Sequence, residues 1–179
     1  AANDDTLTHF LSNGFTTGDD VVTNTNAENY VAWNWKANGS GSSNTDGSIN
    51  TTKTSANVDA GFSISTYTGT NANGATVGHG LSKVPELMIV KARSASGEPW
   101  RVYHKYIASD AETDFITLNT IAAAADSATI WNDTAPTSSV FSIGEDGGVN
   151  ADGTTYVAYC FHSVDGYSKV GSYVGNGNA

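Results

Sequence analysis

The sequence predicts an all-β fold, an antiparallel β-sandwich with tandem-repeat character, and three observations lead there. Nineteen Gly, abundant Asn, Ser and Thr and only 15% charged residues favour turns and hydroxyl-rich strands over helix. Stretches of β-type residues recur at short intervals between turn signals, the spacing of a sandwich or barrel. A long segment is also written twice. With 39% apolar residues, 179 residues are enough for one well-cored domain or two small ones.

In chain order, strands are expected at 28–36 ("ENYVAWNWK"), 61–68 ("GFSISTYT"), 86–93 ("ELMIVKAR"), 99–106 ("PWRVYHKY"), 114–119 ("DFITLN"), 128–132 ("ATIWN"), 139–143 ("SVFSI"), 155–162 ("TYVAYCFH") and 168–174 ("SKVGSYV"). Four alanines in "NTIAAAADSA" (119–128) suggest the one short helical turn. Residues 37–60 carry Ile49 and Val58 as their only large apolar groups and read as a flexible Gly/Ser/Asn/Thr loop or linker.

"SNGFTTGDDVVTNTNAENYVAWNW" (12–35) aligns without a gap on "SSVFSIGEDGGVNADGTTYVAYCF" (138–161), placing Phe15 on Phe141, Gly18 on Gly144, Asp20 on Asp146, Asn24 on Asn150 and Tyr30 on Tyr156. "GFSISTYTG" (61–69) likewise matches "GYSKVGSYVG" (166–175) with one insertion. The chain therefore reads as an array cut out of phase: 1–36 the tail of one unit, 61–165 a complete unit and 166–179 the first strand of a third, or all of these packed as one domain. Starting at Ala, it reads as a piece of something longer. Both copies of the motif are expected to be strand-turn-strand. Alternation puts Val31, Trp33 and Trp35 on one face, matched by Val157, Tyr159 and Phe161, and because that face keeps its bulk it is taken as the core face. Trp35→Ala would then cost roughly 3–5 kcal/mol.

The formal net charge of −10 argues against sequence-independent nucleic-acid binding. Cys160 is the one cysteine, so no internal disulfide is available, and no apolar run approaches membrane-spanning length. No nucleophile elbow, phosphate-cradling loop or H-E-x-x-H motif is present, and His9, His79, His104 and His162 stand alone. No catalytic residue and no cofactor is therefore expected. Asp146, Asn150 and Asp152, with Glu145, form a weak calcium candidate, because the matching loop in copy one has Asn26 in place of Asp152. Half of the eight basic residues gather in 91–105: Lys91 and Arg93 share one strand face, Arg101 and Lys105 another, with Tyr103 beside the second pair and Trp100 nearby. If the domain binds an anionic surface polymer, Arg101 and Lys105 are expected to hold its charges, and Tyr103 or Trp100 to pack on a sugar ring.

Through "GFSISTYTGTNANGATVGHGLSKVPELMIVKARS", "LNTIAAAADSATIWNDTAPTSSVFSIG" and "YVAYCFHSVDGYSKVGSYVGNGN", the sequence resembles a repeated β domain of large virion structural proteins of marine bacteriophages, of the tail-fibre or receptor-recognition kind. The out-of-phase cut leaves the 166–175 strand without the rest of its unit, an edge from which self-association is expected; the resemblance adds a homotrimer, and implies a jelly-roll/concanavalin A-like or SPRY-like sandwich and a virion or extracellular location. It implies a non-enzymatic module that adheres to a host-surface glycan, or alternatively a purely structural spacer or capsid/fibre decoration. A glycan-cleaving enzyme would need a close carboxylate pair in a cleft, which the sequence does not show.

Overall fold

A computed structural model describes residues 5–118 and 120–177. The chain divides into two compact units at Trp35/Lys36.

The first unit holds β1 (Leu7–Leu11) and β2 (Gly14–Thr17), an antiparallel hairpin, followed by a single helical turn, α1 (Val21–Asn24). Asp20 caps α1 by accepting the Val22 amide at 2.7 Å. Residues 28–36, expected as a strand, lie in no regular element, and Trp33 and Trp35 are 77% and 57% exposed. The expectation that they are buried is therefore corrected, and with it the cost assigned to Trp35→Ala. Residues 28–35 pair with neither β1 nor β2, and an extended segment becomes a strand only beside a neighbour.

The second unit carries a seven-stranded antiparallel sheet in the order β3-β4-β11-β6-β7-β8-β9. Its strands are β3 (Lys53–Asn57), β4 (Phe62–Thr68), β6 (Leu87–Ala92), β7 (Arg101–His104), β8 (Asp114–Thr117), β9 (Ala125–Asp126) and β11 (Thr155–Phe161). A smaller sheet pairs β5 (Ala75–Gly78) with β10 (Val140–Ile143). Side chains of both sheets share one core, with Phe141 at 6.4 Å from Tyr67 ring to ring, so the unit is all-β and sandwich-like. Two more helical turns, α2 (Ala128–Trp131) and α3 (Gly147–Asn150), flank β10.

Several local expectations change. Residues 37–60 are part of the fold: β3 lies there, Ser42 bridges Thr54, and Ile49 is buried beside Val77 of β5. Residues 128–132 form α2 rather than a strand. The alanine-rich 119–128 expectation falls partly on residue 119, outside the described residues; the four alanines form no helix, Ala125 and Asp126 make β9, and only Ala128 enters a helical turn, as the start of α2. Segment 168–174 forms no strand; Ser168 only bridges Val164.

The central strand β11 also reverses the core face. Tyr156, Ala158 and Cys160 are fully buried and His162 is 4% exposed, whereas Val157, Tyr159 and Phe161 are half-buried on the other face. Small residues belong inside here because large neighbours already fill the space: Tyr67, Met88, Val90, Phe141 and Trp131 share the core with Ala158 and Cys160.

Burial pushes the Cys160 thiol up to about 12, with the cross-strand Ser63 hydroxyl pulling weakly the other way. Thiol reagent at pH 8 is expected to leave the folded chain unmodified and to label one thiol per chain in denaturant; rapid labelling of the native protein would contradict this burial. Burial and the nearby Tyr156 and Cys160 likewise keep Tyr67 protonated well beyond its ordinary 10.0. For both groups the folded pKa lies above the unfolded one. Their contribution is complete below pH 9 and is lost as pH climbs from the thiol's ordinary 9.0 towards about 12. Melting temperature should fall steadily over that range.

Candidate functional site

The residues expected to form a basic binding strip are placed largely in structural roles. Arg101, on β7, donates from Nε to Asp146 Oδ1 at 3.3 Å and from its terminal nitrogen to Asp146 Oδ2 at 3.2 Å. Its guanidinium lies 4.7 Å from the centre of the Phe115 ring. Lys91 Nζ donates to the carbonyls of Ala92 and Glu98 at 3.0 and 2.9 Å, closing the turn between β6 and β7. Tyr103 is 5% exposed and packs edge-on against Trp131, so its ring cannot stack on a sugar. Trp100 is half-buried at the start of β7, and Arg93 is exposed beyond the end of β6. These residues do not converge on one surface.

The calcium candidates are also engaged. Asp146 accepts from Arg101 and from the Gly148 amide at 2.8 Å. Asn150 is fully buried; its oxygen accepts the Thr70 amide at 2.9 Å, and its nitrogen donates to Ala72 and Gly144 carbonyls at 3.0 and 2.7 Å. Asp152 is exposed in the following turn. The side-chain oxygens of Asp146 and Asn150 that calcium would need are committed to the protein. Among the described residues no group of three or more His, Cys, Asp or Glu could hold a metal ion.

These same residues form a clasp, and its parts recur 126 positions apart. In copy two, Asp146 caps α3, Asn150 donates to Gly144 O, and the Tyr156 hydroxyl donates to Gly147 O at 2.6 Å while accepting from Ala151 N at 2.8 Å. In copy one, Asp20 caps α1, and Asn24 donates to Gly18 O at 2.7 Å. The Tyr30 hydroxyl donates to Val21 O at 3.0 Å and accepts from Thr25 N at 2.9 Å. The glycines match too. A Cβ on Gly144 would run into the Thr129 carbonyl, and one on Gly18 into the Asp5 carbonyl.

His79 is buried and neutral. The Leu81 amide donates to its Nδ1 at 3.2 Å, so Nε2 carries the proton towards the Thr137 carbonyl at 3.2 Å. Burial lowers its pKa more than that carbonyl raises it. It is a packed core histidine rather than a ligand.

One expected residue, Lys105, stands at a cleft that the sequence did not signal. This open cleft of about 690 Å³ is lined by Lys83, Glu86, Tyr106 and the 163–170 loop. Lys105 Nζ pairs with Glu86 Oε1 at 3.0 Å and lies 5.3 Å from the centre of the Tyr106 ring. Glu86 also accepts the Ser163 amide at 2.7 Å and a short hydrogen bond from the Ser163 hydroxyl. That hydroxyl in turn accepts the Val170 amide at 3.0 Å, fastening the loop. Burial alone would raise the Glu86 pKa, but the bonds from Ser163 and Lys105 outweigh it and hold the carboxyl below its ordinary value. The bond to Glu86 correspondingly raises Lys105. The tie between the loop and Glu86 is therefore present above the ordinary carboxylate range and is lost as pH falls through the lowered pKa. Tyr106 is 47% and Tyr167 72% exposed, and Lys83 and Lys169 are exposed on the rim.

Among the described residues no helix is long and apolar enough to cross a membrane. No similar curated protein and no similar solved structure matches the chain. The model of a domain of unknown function, DUF7483, matches residues 1–179, so the chain belongs to the DUF7483 family.

Proposed function

We propose that this domain is a non-enzymatic module of a virion appendage, built from repeated units, that adheres to an acidic glycan on a host surface through the Lys83–Tyr106 cleft. The observation that carries the reading is the cleft itself. Exposed Tyr106 offers a flat apolar ring, and Lys83 and Lys169 bring positive charge to a lining that also holds Asp165, with Lys105 paired to Glu86 beside it, on a body of net −10. A ring bordered by ammonium groups suits a sugar that bears carboxylate or phosphate, and local attraction is what an acidic protein needs to hold an acidic polymer. Glu86 is held ionised by Ser163 and Lys105, which makes it poorly suited to act as a hydrolase's general acid. The recurrence of the Asp-Asn-Tyr clasp supports repeated units and favours a second reading, a spacer whose only partners are its neighbours.

An array of acidic bacterial polysaccharides separates the two readings. Adhesion predicts binding that weakens with added salt and falls roughly tenfold in a Lys83→Ala/Tyr106→Ala variant whose melting temperature is unchanged, since both side chains are exposed. Binding that ignores this double substitution removes the cleft. No binding to any acidic polymer leaves the spacer.

A further inference from the structure

Residues 29–33 and 170–174 both lie outside any strand, and apart from half-buried Val170 both are exposed: Tyr30 48%, Val31 74%, Trp33 77%, Tyr173 94% and Val174 95%. Each nevertheless copies a strand of the large sheet. Residues 29–35 copy β11 within the 12–35/138–161 alignment, and residues 166–175 copy β4. In the second unit β11 and β4 pair antiparallel, with Tyr156 opposite Tyr67, Val157 opposite Thr66 and Phe161 opposite Phe62.

Transferring that register sets Tyr30 opposite Tyr173, Val31 opposite Ser172, and Trp33 opposite Val170. Lys169, the inserted residue, is taken up as a bulge. The side chains follow. The β11–β4 pair is held by two cross-strand ring contacts, Tyr156 stacked on Tyr67 at 5.2 Å and Phe161 against Phe62 at 4.8 Å. Both are answered by aromatic residues in the copies, Tyr30 with Tyr173 and Trp35 with Tyr167. The clasp that ties the Tyr156 hydroxyl to α3 while its ring stacks on Tyr67 is already formed around Tyr30, whose ring is half exposed.

We propose that residues 29–33 of one chain pair as an antiparallel strand with residues 170–174 of a second copy of the same chain, Tyr30 stacking on Tyr173. The occupant is a second copy because the two complementary segments belong to one sequence, so every copy offers both halves. Each backbone gains the hydrogen-bonding partner that β11 and β4 give each other. The contact is head-to-tail: the surface one copy gives differs from the one it receives, so repetition closes a ring, a trimer among them, or extends a filament. The inference stands apart from glycan binding.

The test is engineered disulfide capture in the full chain. The Thr154/Gly69 and His162/Gly61 positions are hydrogen-bonded, at 2.8 and 2.9 Å, so Val157/Thr66 falls at the closer non-hydrogen-bonded spacing, and Val31/Ser172 should do the same. Val31→Cys with Ser172→Cys changes two exposed residues, and native Cys160 is buried and does not compete. Mild oxidation is expected to give a reducible ladder of dimers, trimers and longer species. The register-shifted pair, Ala32→Cys with Ser172→Cys, should give no ladder, and neither single variant should pass dimer. A disulfide closed within one chain would overturn the proposal, and so would the absence of any disulfide or an equal ladder from the shifted pair. A chain that ladders but binds no polysaccharide refutes the adhesion reading alone.

Discussion

Trp131→Ala is expected to cost about 3–5 kcal/mol, enough to lower the melting temperature by many degrees or to leave the second unit partly unfolded. Trp131 is 1% exposed at the end of α2, and its ring meets Tyr103 of β7 at 6.2 Å, edge to face. Truncation would open a cavity between α2 and the large sheet that Ile130, Tyr103 and Ala111 are too constrained to fill. Trp35→Ala gives the contrast. At 57% exposure it should change the stability of the dilute chain by no more than about 1 kcal/mol. Urea unfolding followed by far-UV circular dichroism compares the two, and equal losses would mean that the burial of one of them is misassigned.

The second large effect is expected at Asn150. Its carboxamide links α3, the 70–72 turn and the end of β10 through three hydrogen bonds in a fully buried position. Asn150→Ala removes all three and strands the buried Gly144 carbonyl, while the Ala72 carbonyl keeps the Ala75 amide at 3.2 Å and Thr70 is exposed. At about 1 kcal/mol for each lost bond and about 1–3 kcal/mol for the stranded buried group, about 3 kcal/mol should be lost. Asn24, its counterpart, is exposed and makes the Gly18 bond, so Asn24→Ala should cost about 1 kcal/mol. Equal costs for the two would show that the clasp does not behave as the geometry says.

The clasp was half legible in the sequence. Gly18/Gly144, Asp20/Asp146, Asn24/Asn150 and Tyr30/Tyr156 are four of the eight identities between the two copies, the others being Ser12/Ser138, Phe15/Phe141, Val31/Val157 and Ala32/Ala158. Each of the first four is the residue whose hydrogen bond or missing Cβ the local backbone requires. The sequence could mark those positions without saying that capping and cross-linking, rather than calcium, was their use. The core face of β11 was not legible, because alternation separates two faces without saying which one meets the second layer. Bulk pointed to Val157, Tyr159 and Phe161, while the core takes Ala158 and Cys160 alongside large neighbours from elsewhere in the chain.

The strand at 28–36 failed for a related reason. "YVAWNW" and "YVAYCF" are nearly the same text, but β11 has β4 and β6 on either side, whereas residues 30–35 pair with no strand among the described residues. The basic hairpin misled because its partners lie far off in sequence. Arg101 pairs with Asp146, 45 residues away, and Lys105 with Glu86, 19 residues away. The cleft draws on residues 83–86, 106 and 163–170, three segments that no local motif connects.

Hydrogen exchange read by mass spectrometry tests most directly the central claim, that residues 12–35 and 138–161 are one design in two settings. Amides of 155–161 should exchange slowly at every protein concentration, since β11 is paired on both sides. Amides of 29–33 should exchange freely in the dilute chain and gain protection as concentration rises, together with those of 170–174. Protection of 29–33 that is already complete in the dilute chain, or that never appears as copies are brought together, would contradict the account.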